Sequence, residues 1–437
     1  MTETTNREIA GGRRGNSKVS IDASRALRPY QLESVAFLKE RTRALLALEM
    51  RLGKTPSAIL AAEEKFGGGD VLVLCPAIAV PHWHREWDKW APDSYISLDV
   101  MSFDRARNMW NAGTLQPRRY DVLIVDEAHF CKNPQAQRTK MVYGKGGLGY
   151  QVGAIWALSG TPATKHAGEL WPMLRAFGAT DMDYDAFIDR YCSYWWHKTR
   201  RERIIKGTRE DKVGELRELL KPIMLRRTRA EVAPDMPEID FQFLEIAPQP
   251  FDLPDLLAKG MTDEMLLAAV GGRNDQFASE RQQVALQKIG PLAEEIAFAI
   301  ENKLLDQTVV FGWHVEPLQQ LMWMLNRRYN ISAECITGQT SAKRREDVQD
   351  SFLAGKTQVI CANIVAAGTA IDLSAASHAY FLELDWVPGN NAQAASRLVS
   401  VTKKEKVTVD VVSWPGSVDE RVQRVLTQRV RELSQLL

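Results

Sequence analysis

Two series of short, unbroken apolar runs, each run ending in polar or glycine-bearing residues, restrict this chain more than any other feature. The first series is VLVLCP (Val71 to Pro76), YDVLIVDE (Tyr120 to Glu127) and IWALSGTP (Ile155 to Pro162). The second is TVVFGWH (Thr308 to His314), ISAECITG (Ile331 to Gly338), TQVICAN (Thr357 to Asn363), AYFLELD (Ala379 to Asp385) and VTVDVVSW (Val407 to Trp414). Runs of this kind suit strands covered on both faces, and stretches of helical periodicity separate them. The rhythm is that of repeated βα units. The expected fold is therefore α/β: two tandem lobes, each a parallel sheet flanked by helices, with helical insertions.

Composition sets provisional boundaries along the 437 residues. A polar, glycine-rich tail over 1–22 is expected to be disordered, and a first lobe follows over 23–235 with a helical insertion at about 180–222. A linker with a second helical insertion is expected over 236–300, where FQFLEIA is the one clear strand, and a second lobe over 301–437. Near the end, Ser417 and Glu420 have capping-box spacing. Val418, Val422, Val425, Leu426, Val430 and Leu433 then mark one face of a helix expected to pack on the second lobe.

With 45% hydrophobic and 25% charged residues, the chain has ordinary material for two full cores. Net charge is only +1, so any nucleic-acid surface must be local. The densest basic stretch is KTRRERIIKGTREDK (Lys198 to Lys212), and LRRTR (Leu225 to Arg229) is a second group. A solvated helix face explains such a run more often than a nucleic-acid contact does. Five scattered cysteines (Cys75, Cys131, Cys192, Cys335, Cys361) lack metal or disulfide spacing and suit a reducing compartment. The N-terminus has no apolar signal core, and no run approaches the roughly 18 apolar residues of a membrane span. A cytoplasmic protein without a membrane partner is the expectation.

The chemistry concentrates at the ends of the apolar runs. Gly53, Lys54 and Thr55 precede an alanine-rich helix whose first turn accepts Pro56. Exposed N–H groups at such a helix start bind phosphate, a lysine there meets the β and γ oxygens, and a threonine hydroxyl can ligate Mg2+. Alone this is a weak signal, because Leu48 stands where the phosphate-loop pattern has its first glycine. The run ending in Asp126 and Glu127 supplies adjacent carboxylates, one suited to holding Mg2+ and the other to orienting and deprotonating a water. Acidic pairs also cap helices after strands, but His129 and the upstream GKT weigh against that plainer reading. Ser159 and Thr161 of SGTP can hydrogen-bond the carboxylate motif and sense nucleotide state. In the second half, AAGTAIDL (Ala366 to Leu373) is a glycine-bearing loop, and QAASR (Gln393 to Arg397) carries one arginine able to reach γ-phosphate charge from the opposite lobe.

GKT, DEAH, SGTP and a late QxxxR, in this order, resemble the motif series of superfamily 2 helicase-like ATPases, and further segments resemble the Swi/Snf branch. LRPYQLESVAFL (Leu27 to Leu38) is similar to its adenine-recognition segment, which implies nucleotide contacts at Arg28 and Gln31. EMRLGKT is similar to EMGLGKT, CPAIAVPHWHREW to a CPxxxxxxW segment through Pro76 and Trp83, and DEAHFCKN to DEAHxxKN through Lys132 and Asn133. LKPIMLRRTRAEV and ELDWVPGNNAQAASR are similar to its LRR and DxxWNPxxxxQAxxR segments.

The resemblance implies two RecA-like lobes, ATP and Mg2+, and a motor tracking duplex DNA largely without regard to sequence. It places catalytic roles on Lys54, Asp126, Glu127 and Arg397 and nucleotide contacts on Gly53, Lys54, Thr55 and Asp372. Coupling falls to Ser159, Thr161 and Gln393, and DNA contacts to Pro76, Ser102, Thr337, Gly338, Gly368 and Thr369. The branch's two insertions correspond roughly to Asp183 through Leu220 and Asp252 through Ile300. The length suggests a compact motor of bacterial or viral type, monomeric in isolation, for which the sequence names no protein partner.

There are departures from the pattern: Arg51 replaces a glycine, Lys165 an asparagine, Val387 an asparagine, and Ser400 the second arginine of QAxxRxxRxGQ. Arg397 itself, Lys403 and Lys404 are the nearest cations by sequence that could compensate for Ser400. Three functions stay open: a DNA translocase of replication, recombination or repair; a strand-separating or annealing helicase; and a nucleotide-gated DNA clamp with weak or lost hydrolysis.

Overall fold

The computed structural model describes residues 27–163, 165–197, 202–246, 275–368, 371–400, 403–417, 419 and 422. The tail expected over 1–22 lies outside the described residues, as do most of the C-terminal helix and much of the second insertion.

Among the described residues, fourteen strands form the framework. The first sheet is built from β1 (Arg43–Leu48), β2 (Asp70–Cys75), β3 (Ser97–Ser102), β4 (Val122–Asp126), β5 (Ala154–Leu158) and β8 (Met224–Arg227). Between β5 and β8, β6 (Cys192–His197) and β7 (Glu202–Thr208) form a separate antiparallel hairpin. The second sheet contains β9 (Ile239–Glu245), β10 (Thr308–Gly312), β11 (Ala333–Ile336), β12 (Val359–Asn363), β13 (His378–Phe381) and β14 (Val407–Ser413). The orders are β3-β2-β4-β5-β1-β8 and β11-β12-β10-β13-β14-β9. Every pairing within the two six-stranded sheets is parallel.

Alternate residues of each strand enter different cores, which is why the runs show no polar alternation. On one face of the first sheet, Leu46, Val73, Ile124 and Leu158 pack with Ile59, Trp83 and Trp87. On the other, Leu45, Leu72, Val125 and Ala157 pack with Met141, Leu174 and Phe187. In the second sheet Val310, Cys361 and Tyr380 meet Ile289, Leu292 and Ile296 of the long helix Asp275–Glu301. All five cysteines are free thiols, four of them buried. Among the described residues no helix is long and apolar enough to cross a membrane.

Two expectations need correction. Residues 239–245 of the segment expected as a linker belong to the second lobe: β9 pairs with β14 over its whole length, from Ile239 beside Val407 to Glu245 beside Ser413. The second sheet thus begins at 239, because a free edge of β14 accepts a strand that comes much earlier in the chain. The insertion at about 180–222 is only partly helical, with helices Tyr184–Tyr191 and Val213–Leu220 flanking the hairpin. The described part of the basic run is therefore largely strand and not a helix face. Cross-strand pairs Tyr194–Ile205 and Trp195–Ile204 join aromatic and β-branched residues, which favour a pleated surface. The Arg203 guanidinium lies 5.0 Å from the Tyr194 ring centre and 5.5 Å from that of Trp196.

Candidate nucleotide site between the lobes

The loop after β1 must turn sharply into the helix Lys54–Phe66, and Gly53 makes that turn with φ 77°. Glycine is required here by conformation, and a Cβ on Gly53 would stand 2.1 Å from Gln31 Nε2 and push that amide aside. Arg51, two residues earlier, holds φ 67° with a full side chain, a conformation that costs an L-residue about 1–2 kcal/mol. Lys54 Nζ turns back to the Leu48 carbonyl at 3.0 Å. Burial lowers the pKa of this ammonium, while Glu127 and Asp126 act to raise it.

β4 carries Asp126 to the same edge. Its Oδ2 accepts from Trp83 Nε1 at 2.9 Å, and its Oδ1 from the Glu127 backbone N–H at 2.9 Å. Burial and then the neighbouring Glu127 push the Asp126 carboxyl up to about 6. Glu127 sits at φ 49°, a turn that swings its side chain toward the second lobe. Glu127 Oε2 is 3.3 Å from His129 Nδ1, which is 3.1 Å from Ser159 Oγ; that oxygen also accepts from Thr161 N at 3.2 Å. Burial, then Lys132, hold His129 down at about 4, so it is a neutral link between DEAH and SGTP.

The second lobe meets this edge through the helix Pro388–Ala395 and the turn after it. Gln393 Nε2 donates to Glu127 Oε1 across the cleft at 2.8 Å. The Arg397 guanidinium donates to the Gly368 carbonyl, while its Nε is buried without a hydrogen-bond partner. Burial, and then Arg51, bring the Arg397 pKa down to about 10. The lobes enclose a cleft of about 540 Å³ lined by Lys54, Thr55, Asp126, Glu127, Asp372 and Arg397, among others. A volume of this order suits a small organic ligand, and Lys54 and Arg397, with Arg51 also in the lining, beside carboxylates suit a polyanion with a cation.

Several expected site residues lie elsewhere. Arg28 is exposed, and neither it nor Gln31 is among the residues lining the cleft. Gln31 instead accepts from Arg28 N at 2.9 Å and donates to the Leu52 carbonyl at 3.2 Å, bracing the phosphate loop. Pro76 lines the cleft, whereas Ser102 caps the helix Phe103–Asn111 at the end of the adjacent β3. Thr337 and Gly338 follow β11, and Gly368 ends the short helix after β12; Thr369 lies outside the described residues. Lys403 donates to the carbonyls of Ser374 and Ala376 and is not a lining residue, and Lys404 is exposed. The LRRTR group is tied down by ion pairs, Arg227 to Glu33 and Arg229 to Glu49.

Sequence reasoning missed three contributors. Trp83 was visible as part of a motif but not as the donor to Asp126. Arg345 joins the expected DNA loops by donating to the carbonyls of Thr337, Thr340 and Ala366. Arg51 registered only as a departure, yet it reaches across the cleft.

The donor set fits magnesium in the way that ion is usually bound. A hydroxyl and one or two carboxylates leave its remaining positions to phosphate and water. The raised pKa of the buried Asp126 carboxyl marks negative charge that a cation would relieve. Phosphate loop and carboxylates on one parallel sheet, with glutamine and arginine delivered from a second, define a two-lobed nucleotide-hydrolase core of helicase superfamily 2. Two family models match the chain: the SNF2-related domain over residues 111–252 and the helicase conserved C-terminal domain over residues 287–401. The chain belongs to the Swi/Snf-type ATPases of that superfamily.

Similar curated proteins include a Caenorhabditis elegans homolog of SWI/SNF-related matrix-associated actin-dependent regulator of chromatin subfamily A-like protein 1. It is 26% identical over 434 residues, which cover 93% of this chain and 61% of the relative. The Mus musculus DNA annealing helicase and endonuclease ZRANB3 is 26% identical over 440 residues, covering 93% of this chain and 40% of that protein. This chain thus spans less than two thirds of the length of either. The Pyrococcus furiosus Hef helicase domain shares the fold, with a TM-score of 0.50 at 15% identity over 91% of this chain and 97% of that one.

Proposed function

We propose that this chain is a DNA-dependent ATPase that translocates along duplex or branched DNA, largely independent of sequence, in replication, recombination or repair. The observation that carries the reading is the 2.8 Å hydrogen bond from Gln393 to Glu127. A carboxylate placed to activate water on one lobe is thereby held by the other, so hydrolysis and lobe position are linked. In this reading the backbone at Gly53 and the Lys54 ammonium bind the β and γ phosphates, and Glu127 orients water and takes its proton. Thr55 and Asp126 would hold Mg2+, which supplies charge neutralisation at the phosphates. Arg397 stabilises the negative charge that develops on the transferred phosphoryl group. Ser159, Thr161 and His129 couple that change to the first lobe, and Asp372 contacts the nucleotide from the second.

Pro76 and Ser102 after strands of the first sheet, Thr337, Gly338 and Gly368 after strands of the second, and Thr369 are the proposed DNA contacts. Phosphate contacts of this kind position a protein without reading bases. The test is ATP turnover titrated with single-stranded, duplex and forked DNA. Stimulation by duplex or forked DNA supports the motor. Turnover that no DNA changes contradicts it, and nucleotide-dependent DNA binding without turnover favours the clamp, the reading that Ser400 motivates. Because one similar protein is named an annealing helicase, re-pairing of complementary strands belongs in the same set of assays.

A further inference from the structure

Arg51 occupies a backbone conformation in which glycine carries no steric penalty, and its side chain is committed entirely to the other lobe. Its Nη2 donates to Asp372 Oδ1 at 3.2 Å and to the Arg397 carbonyl at 2.8 Å, and its Nε donates to the Ser396 carbonyl at 3.1 Å. Two of these acceptors belong to the turn that carries Arg397, and the third begins the loop whose Leu373 N–H bonds the same Arg397 carbonyl at 3.1 Å. The guanidinium is largely covered, its side chain 21% exposed. A planar fork satisfying three acceptors on two segments is a geometric restraint of a kind that a flexible point charge cannot reproduce.

A second charged bridge across the cleft among the described residues, Arg85 to Glu346 at 3.0 Å, has side chains 53% and 49% exposed, and exposed pairs contribute little. Ser400 cannot supply a guanidinium, and Lys403 is held by carbonyls of its own lobe. Arg51 is thus the cation placed to fix the turn that presents Arg397.

We propose that Arg51 is a positioning residue that locks the Arg397-bearing turn against the phosphate loop, so that closure of the second lobe is set by a guanidinium from the first. The two departures at Arg51 and Ser400 are then connected: an arginine gained on the phosphate loop stabilises a closed site that lacks one on the second lobe. The inference rests on the ATPase reading, and one experiment separates their failures.

Parent, Arg51→Gly and Arg51→Lys are compared for kcat and KM of ATP at saturating duplex DNA, with thermal stability measured in parallel. Arg51→Gly is expected to lower kcat by about 10- to 100-fold, the worth of charged hydrogen bonds, with KM changed by less than about threefold. Its melting temperature should not fall in step, since glycine suits the positive φ. Arg51→Lys should recover little, because one ammonium cannot span the three acceptors. Parental kcat in Arg51→Gly, a loss of kcat matched by loss of fold, or full recovery in Arg51→Lys each overturns the proposal. Absence of turnover in the parent overturns the proposed function itself, and this inference with it.

Discussion

Replacing Gln393 with alanine removes the hydrogen bond to Glu127 together with a mostly buried side chain. Gln393 lies in the helix Pro388–Ala395 and is 8% exposed, with its amide on Glu127 Oε1 at 2.8 Å. Alanine is the best helix former, so the helix should persist and the second lobe should melt within a few degrees of the parent. Hydrogen bonds to charged groups contribute about 1.5–3 kcal/mol. If this bond orients Glu127 during hydrolysis, its loss lowers kcat by about 10- to 150-fold, since 1.4 kcal/mol is roughly a factor of ten. Binding should change less, because Gly53, Lys54 and Thr55 lie on the first lobe. The assay is steady-state phosphate release at saturating ATP and duplex DNA, with fluorescent-nucleotide affinity measured beside it. Unchanged kcat in Gln393→Ala would refute the linkage between lobe position and Glu127.

Gly53→Ala should destabilise the first lobe by about 2–3 kcal/mol, combining the cost of a positive φ with disruption of the Gln31 brace, and lower its melting temperature by roughly 4–10 °C. Calorimetry or thermal fluorescence checks this. Trp83→Phe keeps most of a fully buried ring but removes the donor to Asp126, so turnover should fall about tenfold. Titrating Mg2+ in the turnover assay should show a raised requirement; an unchanged one would mean that Trp83 is packing only.

Much of the frame was legible because fully buried parallel strands write themselves as continuous apolar runs, and Asp126 and Ser159 stand at or just past their ends; β1, the strand before Gly53, is not part of either series of runs. What escaped prediction depends on distant pairing. FQFLEIA was readable as a strand, but its partner β14 begins at Val407, and nothing local ties the two. The hairpin at Cys192 to Thr208 was hidden by its charges, although Trp195, Trp196, Ile204 and Ile205 carry strand propensity. Gln31 matched an adenine-reading motif, yet whether an amide faces the cavity or a loop carbonyl depends on Gly53 packing beneath it. Arg51 and Asp372 stand 321 residues apart, so their pairing was inaccessible to any reading by spacing.

The central claim, that the two lobes form a DNA-stimulated ATP-hydrolysing motor with Glu127 as its water-activating group, is tested most directly by comparing the parent with Glu127→Gln. ATP binding and phosphate release are measured for both with and without duplex DNA. The account predicts that duplex DNA accelerates phosphate release by the parent, whereas Glu127→Gln binds ATP as tightly and releases almost no phosphate. Near-parental release by Glu127→Gln, or a parent indifferent to DNA, would contradict it.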